Sequence, residues 1–118
     1  MMGDNMLTHR FKIMDCIDSQ KDYSDYFSRK DNCIFVNDEI ILLVIKELKI
    51  MPTFYHNLNR PEYGLAYWGV TLIPPTSLKT FKDVLLGEKC IQPLELNQLI
   101  VLINTAIEEN KYIIHCGV

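Results

Sequence analysis

The sequence predicts an α+β domain: a small sheet of about three or more strands, with three to four helices packed on it as a single pair of layers. Three observations predict it. The chain has 118 residues and 48% apolar content, enough for one domain with its own core. Two apolar periods coexist in it: Leu96, Leu99, Ile100, Ile103, Ala106 and Ile107 repeat at helical spacing, whereas residues 66–73 alternate as a strand does. No linker, repeat or low-complexity stretch separates these segments, so one core has to serve all of them. Residues 1–118 are therefore read as a single domain, with residues 1–10 a loose polar terminus.

Phe11, Ile13, Cys16 and Ile17 suggest a short first strand, with Lys12 and Asp15 facing outward. From Asp18 to Asn32 the chain turns polar and acidic. Tyr23, Tyr26 and Phe27 stand at i, i+3 and i+4, and Asp18, Asp22 and Asp25 at i, i+4 and i+7. That spacing predicts a short helix with an aromatic face and an acidic one. Asn37 is a sound N-cap, and Asp38 and Glu39 suit the positive end of a helix dipole. A helix is expected from there to Met51, stopped by Pro52. Its stripe is Ile41, Val44, Ile45 and Leu48, and Ile40, Leu43 and Ile50 widen it enough to predict a central helix. The apolar run 40–45 also fits a buried strand, but the capping signals favour helix.

Residues 53–65 read as a loop, with Asn59, Pro61 and Gly64 as turn residues. Residues 66–73 read as a strand with Tyr67, Gly69, Thr71 and Ile73 on one side. Trp68, Val70 and Leu72 fall on the other, so Trp68 is expected in the core. Pro74 and Pro75 stop this strand, and Thr76 or Ser77 can cap a helix over 78–86. Gly87 suits the left-handed residue beyond that helix. Pro93 opens a helix over 93–109 and Asn110 ends it. Residues 111–118 then form a terminal strand, parallel or antiparallel to the one before.

Several function classes are excluded. A net charge of −3 leaves no Lys/Arg surplus to neutralise phosphates, which argues against a basic nucleic-acid binder. Tyr67 and Trp68 also lack the basic flanks of a base-stacking platform. The longest apolar run has six residues against the roughly 20 that span a bilayer, and the first ten lack the apolar core of a signal peptide. A cytoplasmic protein is the expectation. Cysteines 16, 33, 90 and 116 match no zinc spacing and read as reduced, packed thiols, although an even count permits two disulfides. His115 and Cys116 are neighbours on a strand and point to opposite faces, so they make no dyad. No phosphate-cradling glycine loop, nucleophile elbow, EF-hand loop or i, i+4 histidine pair occurs. Catalysis, a cofactor and a metal are all unexpected on these grounds.

Binding remains. Residues 15–39 hold seven acidic and three basic side chains, a local charge of −4, so the rest of the chain sums to +1. Tyrosines beside carboxylates offer contact area together with charge complementarity to a basic partner. The expected partner-binding residues are Asp18, Asp22, Tyr23, Asp25, Tyr26 and Asp31, joined by Tyr55, His56 and Tyr63 from the following loop. The plainer reading is a solvated acidic face over packed aromatics, followed by an ordinary connector. Two alternatives come from other classes. One is a ligand-binding or enzymatic pocket in which Arg60 holds a carboxylate or phosphate and His56 serves as acid or base beside Tyr63. The other is a non-catalytic accessory subunit.

The stretch from Tyr63 to Pro75 (Tyr-Gly-Leu-Ala-Tyr-Trp-Gly-Val-Thr-Leu-Ile-Pro-Pro), followed by Ser77-Leu78 and a helix, resembles small bacterial immunity proteins. These are the antidotes of polymorphic-toxin and contact-dependent growth inhibition systems. The closing Glu109-Asn110-Lys111-Tyr112-Ile113-Ile114-His115-Cys116-Gly117-Val118 shares the resemblance, which covers the C-terminal half. It implies a cytosolic, non-enzymatic protein that binds one toxin domain, for instance a nuclease, and occludes its active site or substrate surface. An acidic antidote would then associate quickly with a basic cleft by electrostatic steering.

Overall fold

A computed structural model describes residues 7–26, 33–87 and 94–118. The strands are β1 (Thr8–Met14), β2 (Ile34–Asn37), β3 (Pro52–Tyr55), β4 (Pro61–Tyr63), β5 (Val70–Ile73) and β6 (Tyr112–Cys116). The helices are α1 (Asp38–Val44), α2 (Leu78–Gly87) and α3 (Leu94–Glu109), with single 3-10 turns at Glu47–Ile50 and Pro75–Ser77. The six strands form one sheet in the order β2-β1-β6-β5-β3-β4. Every pairing is antiparallel, which resolves the β5–β6 relation: Leu72 stands opposite Ile114, and Thr71 opposite His115.

Strand alternation gives the sheet two unequal faces. One face meets the helices. Phe11, Ile73 and Ile113 from the strands pack there with Ile41, Phe81, Leu85, Leu99 and Ile103. Leu78, Phe81 and Leu85 of α2 and Leu96, Leu99, Ile103 and Ala106 of the expected α3 stripe supply this core, whereas Ile107, expected with them, is exposed at the end of α3. The other face is smaller. Met14, Val70, Leu72 and Ile114 are covered by Tyr23 and its neighbours from the irregular segment after β1. All four residues of β5 are buried because both its faces are covered, so the fold adds a partial third layer to the expected pair.

Capping explains the helix ends. Asn37 Oδ1 accepts from the Glu39 backbone N–H at 2.8 Å. Asn110 adopts φ 55°, and Asn110 N–H to Ile107 O and Lys111 N–H to Ala106 O complete a Schellman ending. Gly87 is instead the last residue of α2 and lies outside the left-handed region. Ser77 does not cap α2 either: its Oγ donates to Pro52 O at 2.6 Å, joining α2's entry to β3.

Six expectations need correction. Residues 8–10, read as part of a loose terminus, open β1, and His9 there is fully buried. The short helix over 18–32 is absent from its described part, which is a chain of turns. Asp18 Oδ1 accepts from Gln20 N–H and Asp22 Oδ1 from Ser24 N–H, each at 2.8 Å, and such local bonds compete with helical ones. The helix expected to reach Met51 breaks after Val44. Leu42, Leu43 and Ile50 are exposed, so it is peripheral and not central. Residues 53–65 are a β3–β4 hairpin, pairing Pro52 with Tyr63 and Phe54 with Pro61; its strands are too short to show a period. The strand expected over 66–73 begins only at Val70. Residues 66–69 turn outward and leave Trp68 81% exposed. Cys16 is exposed and not packed, Cys33 and Cys116 are half-buried, and Cys90 lies outside the described residues. No helix among the described residues is long and apolar enough to cross a membrane.

Candidate binding face

Three segments that are remote in sequence meet at one end of the sheet: residues 22–26, the β3–β4 hairpin, and the turn 66–69 that precedes β5. Backbone bonds join them. Tyr23 N–H donates to His56 O at 2.7 Å, and His56 N–H donates to Val70 O at 2.9 Å. His56 is the pivot. It has φ 68°, and Asn57 N–H donates across it to Tyr55 O at 2.7 Å, so it sits in a γ-turn of positive φ. Such a conformation costs a non-glycine residue about 1–3 kcal/mol and persists only where surrounding bonds impose it. Gly69 accommodates it, since a Cβ at that position would lie 2.5 Å from His56 Nε2.

Side chains complete the hairpin's part of the face. Arg60 Nη1 bonds His56 Nδ1 at 3.1 Å, which brings together two residues named as a possible pocket. Tyr63, the third, is exposed, and its backbone carbonyl accepts from the Tyr55 hydroxyl at 3.0 Å. Asp22 is exposed beside them. Bonds from Ser24 hold its carboxyl below the usual carboxylate range, and the His56 and Arg60 charges add to this. A shallow cleft of about 450 Å³ lies alongside, lined in part by Lys49, Tyr55, His56, Tyr67 and Trp68.

The turn 66–69 is held from two sides. Tyr67 O accepts from Val118 N–H at 2.9 Å, and Gly69 O accepts from Gly117 N–H at 2.8 Å. Gly117 is required here, because a Cβ would overlap the Tyr67 carbonyl. From beneath, a buried polar chain reaches the same turn. The Tyr67 hydroxyl donates to Asp38 Oδ2 at 2.8 Å, and Asp38 Oδ1 accepts from His9 Nε2 at 2.8 Å. His9 Nδ1 meets His115 Nε2 at 2.8 Å, and His115 Nδ1 meets the Thr71 hydroxyl at 3.2 Å. Thr71 Oγ1 accepts in turn from Ala66 N–H at 2.8 Å. His9, Thr71 and His115 are fully buried, and Asp38 is 7% exposed. Burial lowers the His9 pKa despite the opposing pull of Asp38, and burial together with His9's charge pushes His115 well below its ordinary value. Above Tyr67, Trp68 stands edge-to-face at 4.9 Å between ring centroids.

The expected partner-binding residues are therefore distributed as follows. Asp22, Asp25, Tyr26, Tyr55, His56 and Tyr63 lie in the joined segments, with Asp18 exposed on the neighbouring turn. Tyr23 is 3% exposed and accepts from Asp18 N–H at 2.8 Å through its hydroxyl, so it holds the segment down and offers little to a partner. Asp31 lies outside the described residues. Cations from outside the stretch moderate its acidic surplus: Lys12 Nζ stands 5.5 Å from the Tyr26 ring centroid, and Asp15 pairs with Lys111 at 3.1 Å. Asp38, counted with the acidic stretch, belongs to the buried chain.

Sequence reasoning missed Trp68 and the His9–Asp38–His115 chain. Gly64 and Gly69 on either side of residues 65–68 were the available signal for a turn. Nothing local signals the chain, since His9 and His115 are 106 positions apart. Compared with family models, curated proteins and solved structures, the chain has no match.

Proposed function

We propose that this protein acts by binding another protein through the face formed by residues 22–26, 55–63 and 66–69, with Trp68 as the anchor. One observation carries the reading: the single tryptophan of the chain is 81% exposed on a turn fixed from both sides. An indole left in water costs apolar burial, and one held in place loses little entropy on docking. Tryptophan, tyrosine and arginine dominate binding hot spots, and this face carries Trp68 together with Tyr55, Tyr63 and Arg60 of the hairpin. The partner class that fits is a toxin domain whose active site or substrate surface is covered by an immunity protein. The resemblance of residues 63–75 to such antidotes supports it, and Asp18, Asp22 and Asp25 at the edge of the face favour a basic partner. On this reading the protein is a cytoplasmic inhibitor with no chemistry of its own.

The test is retention of a partner from the native host at low salt, followed by calorimetry with that partner purified. Trp68→Ala is expected to weaken binding at least tenfold, about 1.4 kcal/mol or more. Joint reversal of Asp22 and Asp25 to Lys is expected to slow association and flatten its salt dependence. Absence of any retained partner, or equal affinity for Trp68→Ala, rejects the reading. The cleft and the His56–Arg60 bond favour a second reading, a small anionic ligand held by Lys49 and Arg60. A ligand that raises the melting temperature of the wild type but not of Arg60→Ala would support it.

A further inference from the structure

The buried chain from Thr71 to Tyr67 has a direction. The Asp38 carboxylate can only accept, so His9 Nε2 carries a proton toward it and His9 Nδ1 is left to accept. His115 Nε2 then donates to His9 Nδ1, and His115 Nδ1 accepts from the Thr71 hydroxyl. The backbone N–H of Ala66 and the Tyr67 hydroxyl occupy the remaining acceptors, Thr71 Oγ1 and Asp38 Oδ2. With both imidazoles neutral, every donor has an acceptor, and no buried side-chain polar atom among the described residues lacks a partner.

One added proton destroys that match. If His9 becomes an imidazolium, its Nδ1 must donate, so His115 Nε2 must accept and His115 Nδ1 must take up the proton. Thr71 Oγ1 then faces two N–H donors, from His115 and Ala66, and its own hydroxyl proton loses its acceptor in a fully buried site. A second proton sets two imidazolium N–H groups against each other across the present 2.8 Å bond. The groups facing the pair are accounted for by element: Asp38 from α1, Thr71 from β5 and Tyr67 from the turn. Phe11 of β1 adds only its ring, 4.9 Å between centroids from His115. Arg10 points to the opposite face, toward Cys116 Sγ.

We propose that the His9–His115 pair is a proton-operated lock on the turn 66–69: neutral, it holds the turn and Trp68 in place, and protonated, it releases them. The turn is the element that gives way because both ends of the chain terminate on it, at Ala66 through Thr71 and at Tyr67 through Asp38. Among the described residues, its other backbone bonds to a separate segment are the two from Gly117 and Val118. Release of the turn admits water to the pair and relieves part of the desolvation that lowers both histidines, so the released state binds protons more readily and its population grows as pH falls. The growth is about tenfold per pH unit for each proton taken up. Acid would thereby disorder the anchor of the binding face. That consequence rests on the binding role proposed above, whereas the lock is testable on the isolated chain with no partner present, so the two can fail separately.

The single tryptophan is the reporter. Trp68 fluorescence anisotropy of the full chain is followed from pH 7.5 to 4.5, together with far-UV circular dichroism and the imidazole nitrogen NMR signals. The lock requires anisotropy to fall in the step in which the His9 and His115 signals change tautomer, while ellipticity holds. His56 also touches the turn, so the scan is repeated on His56→Asn, which tolerates the positive φ and must keep the transition. Three results overturn the proposal: a flat Trp68 signal, a transition lost in His56→Asn, or a transition that coincides with loss of ellipticity.

Discussion

The three histidines of this chain occupy two opposite environments on either side of one turn. His9 and His115 lie beneath it, stacked at 5.1 Å between centroids, fully buried and committed to each other. His56 lies at its edge, half-buried, with one nitrogen bonded to Arg60 and the other against Gly69. Both clusters combine imidazole with a hydroxyl-bearing, charged or backbone partner. Burial separates their roles. Beneath the turn an unpaired group has no water to turn to, so the network is complete and its protonation state is fixed by desolvation. At the edge, water substitutes for any missing partner, so the same residue type is free to meet another molecule. A difference in function is thus read from solvent access more than from residue identity.

That contrast can be broken from the buried side first. Asp38→Ala removes the acceptor of both His9 and Tyr67 and is expected to cost about 3 kcal/mol in urea unfolding. A loss below about 1 kcal/mol would place the network outside the stabilising core. Acidity is the next largest effect. Both buried histidines have lowered folded values, so the unfolded chain binds protons first. Stability from the pair is therefore full above about pH 6.5 and is lost as pH falls below it, at up to about 1.4 kcal/mol per pH unit per proton. Chemical denaturation at pH 7.5, 6.5 and 5.5 checks the sign, and stability rising on acidification would refute it.

Smaller effects sharpen the comparison at the turn and its edge. Gly117→Ala forces a methyl against the Tyr67 carbonyl and is expected to cost about 1–2 kcal/mol, the worth of the two backbone bonds it displaces. Trp68 anisotropy should fall in that variant at neutral pH. His56→Asn keeps a residue tolerant of positive φ and gives up one exposed bond, so its stability should stay within about 0.5 kcal/mol of wild type. A loss comparable to that of Asp38→Ala would erase the distinction between the two clusters.

The fold was legible wherever one period ran for several turns. The Leu96–Ala106 stripe of α3, the Leu78–Leu85 stripe of α2 and the Asn110 ending needed only helical spacing and one left-handed residue. Strands β3 and β4 were hidden because three or four residues around Pro61 cannot display an alternation. Residues 18–26 imitated a helix because aspartate spacing matched one, while the aspartates bonded their own backbone instead. The face was half legible. Asp22 and residues 55–63 were singled out for composition, and the sheet brings them together. Trp68 was assigned inward because strand alternation was extended back through a turn. The histidine chain could not be read at all, since it is assembled by β1–β6 pairing between residues 106 positions apart.

The most direct measurement of the central claim is the affinity of wild type and Trp68→Ala for the partner retained from the native host, with their melting temperatures beside it. Trp68 is exposed, so its loss should leave stability within about 0.5 kcal/mol while weakening binding at least tenfold. Equal affinities with equal stabilities would contradict the account, because a fixed and solvated indole would then have no binding role.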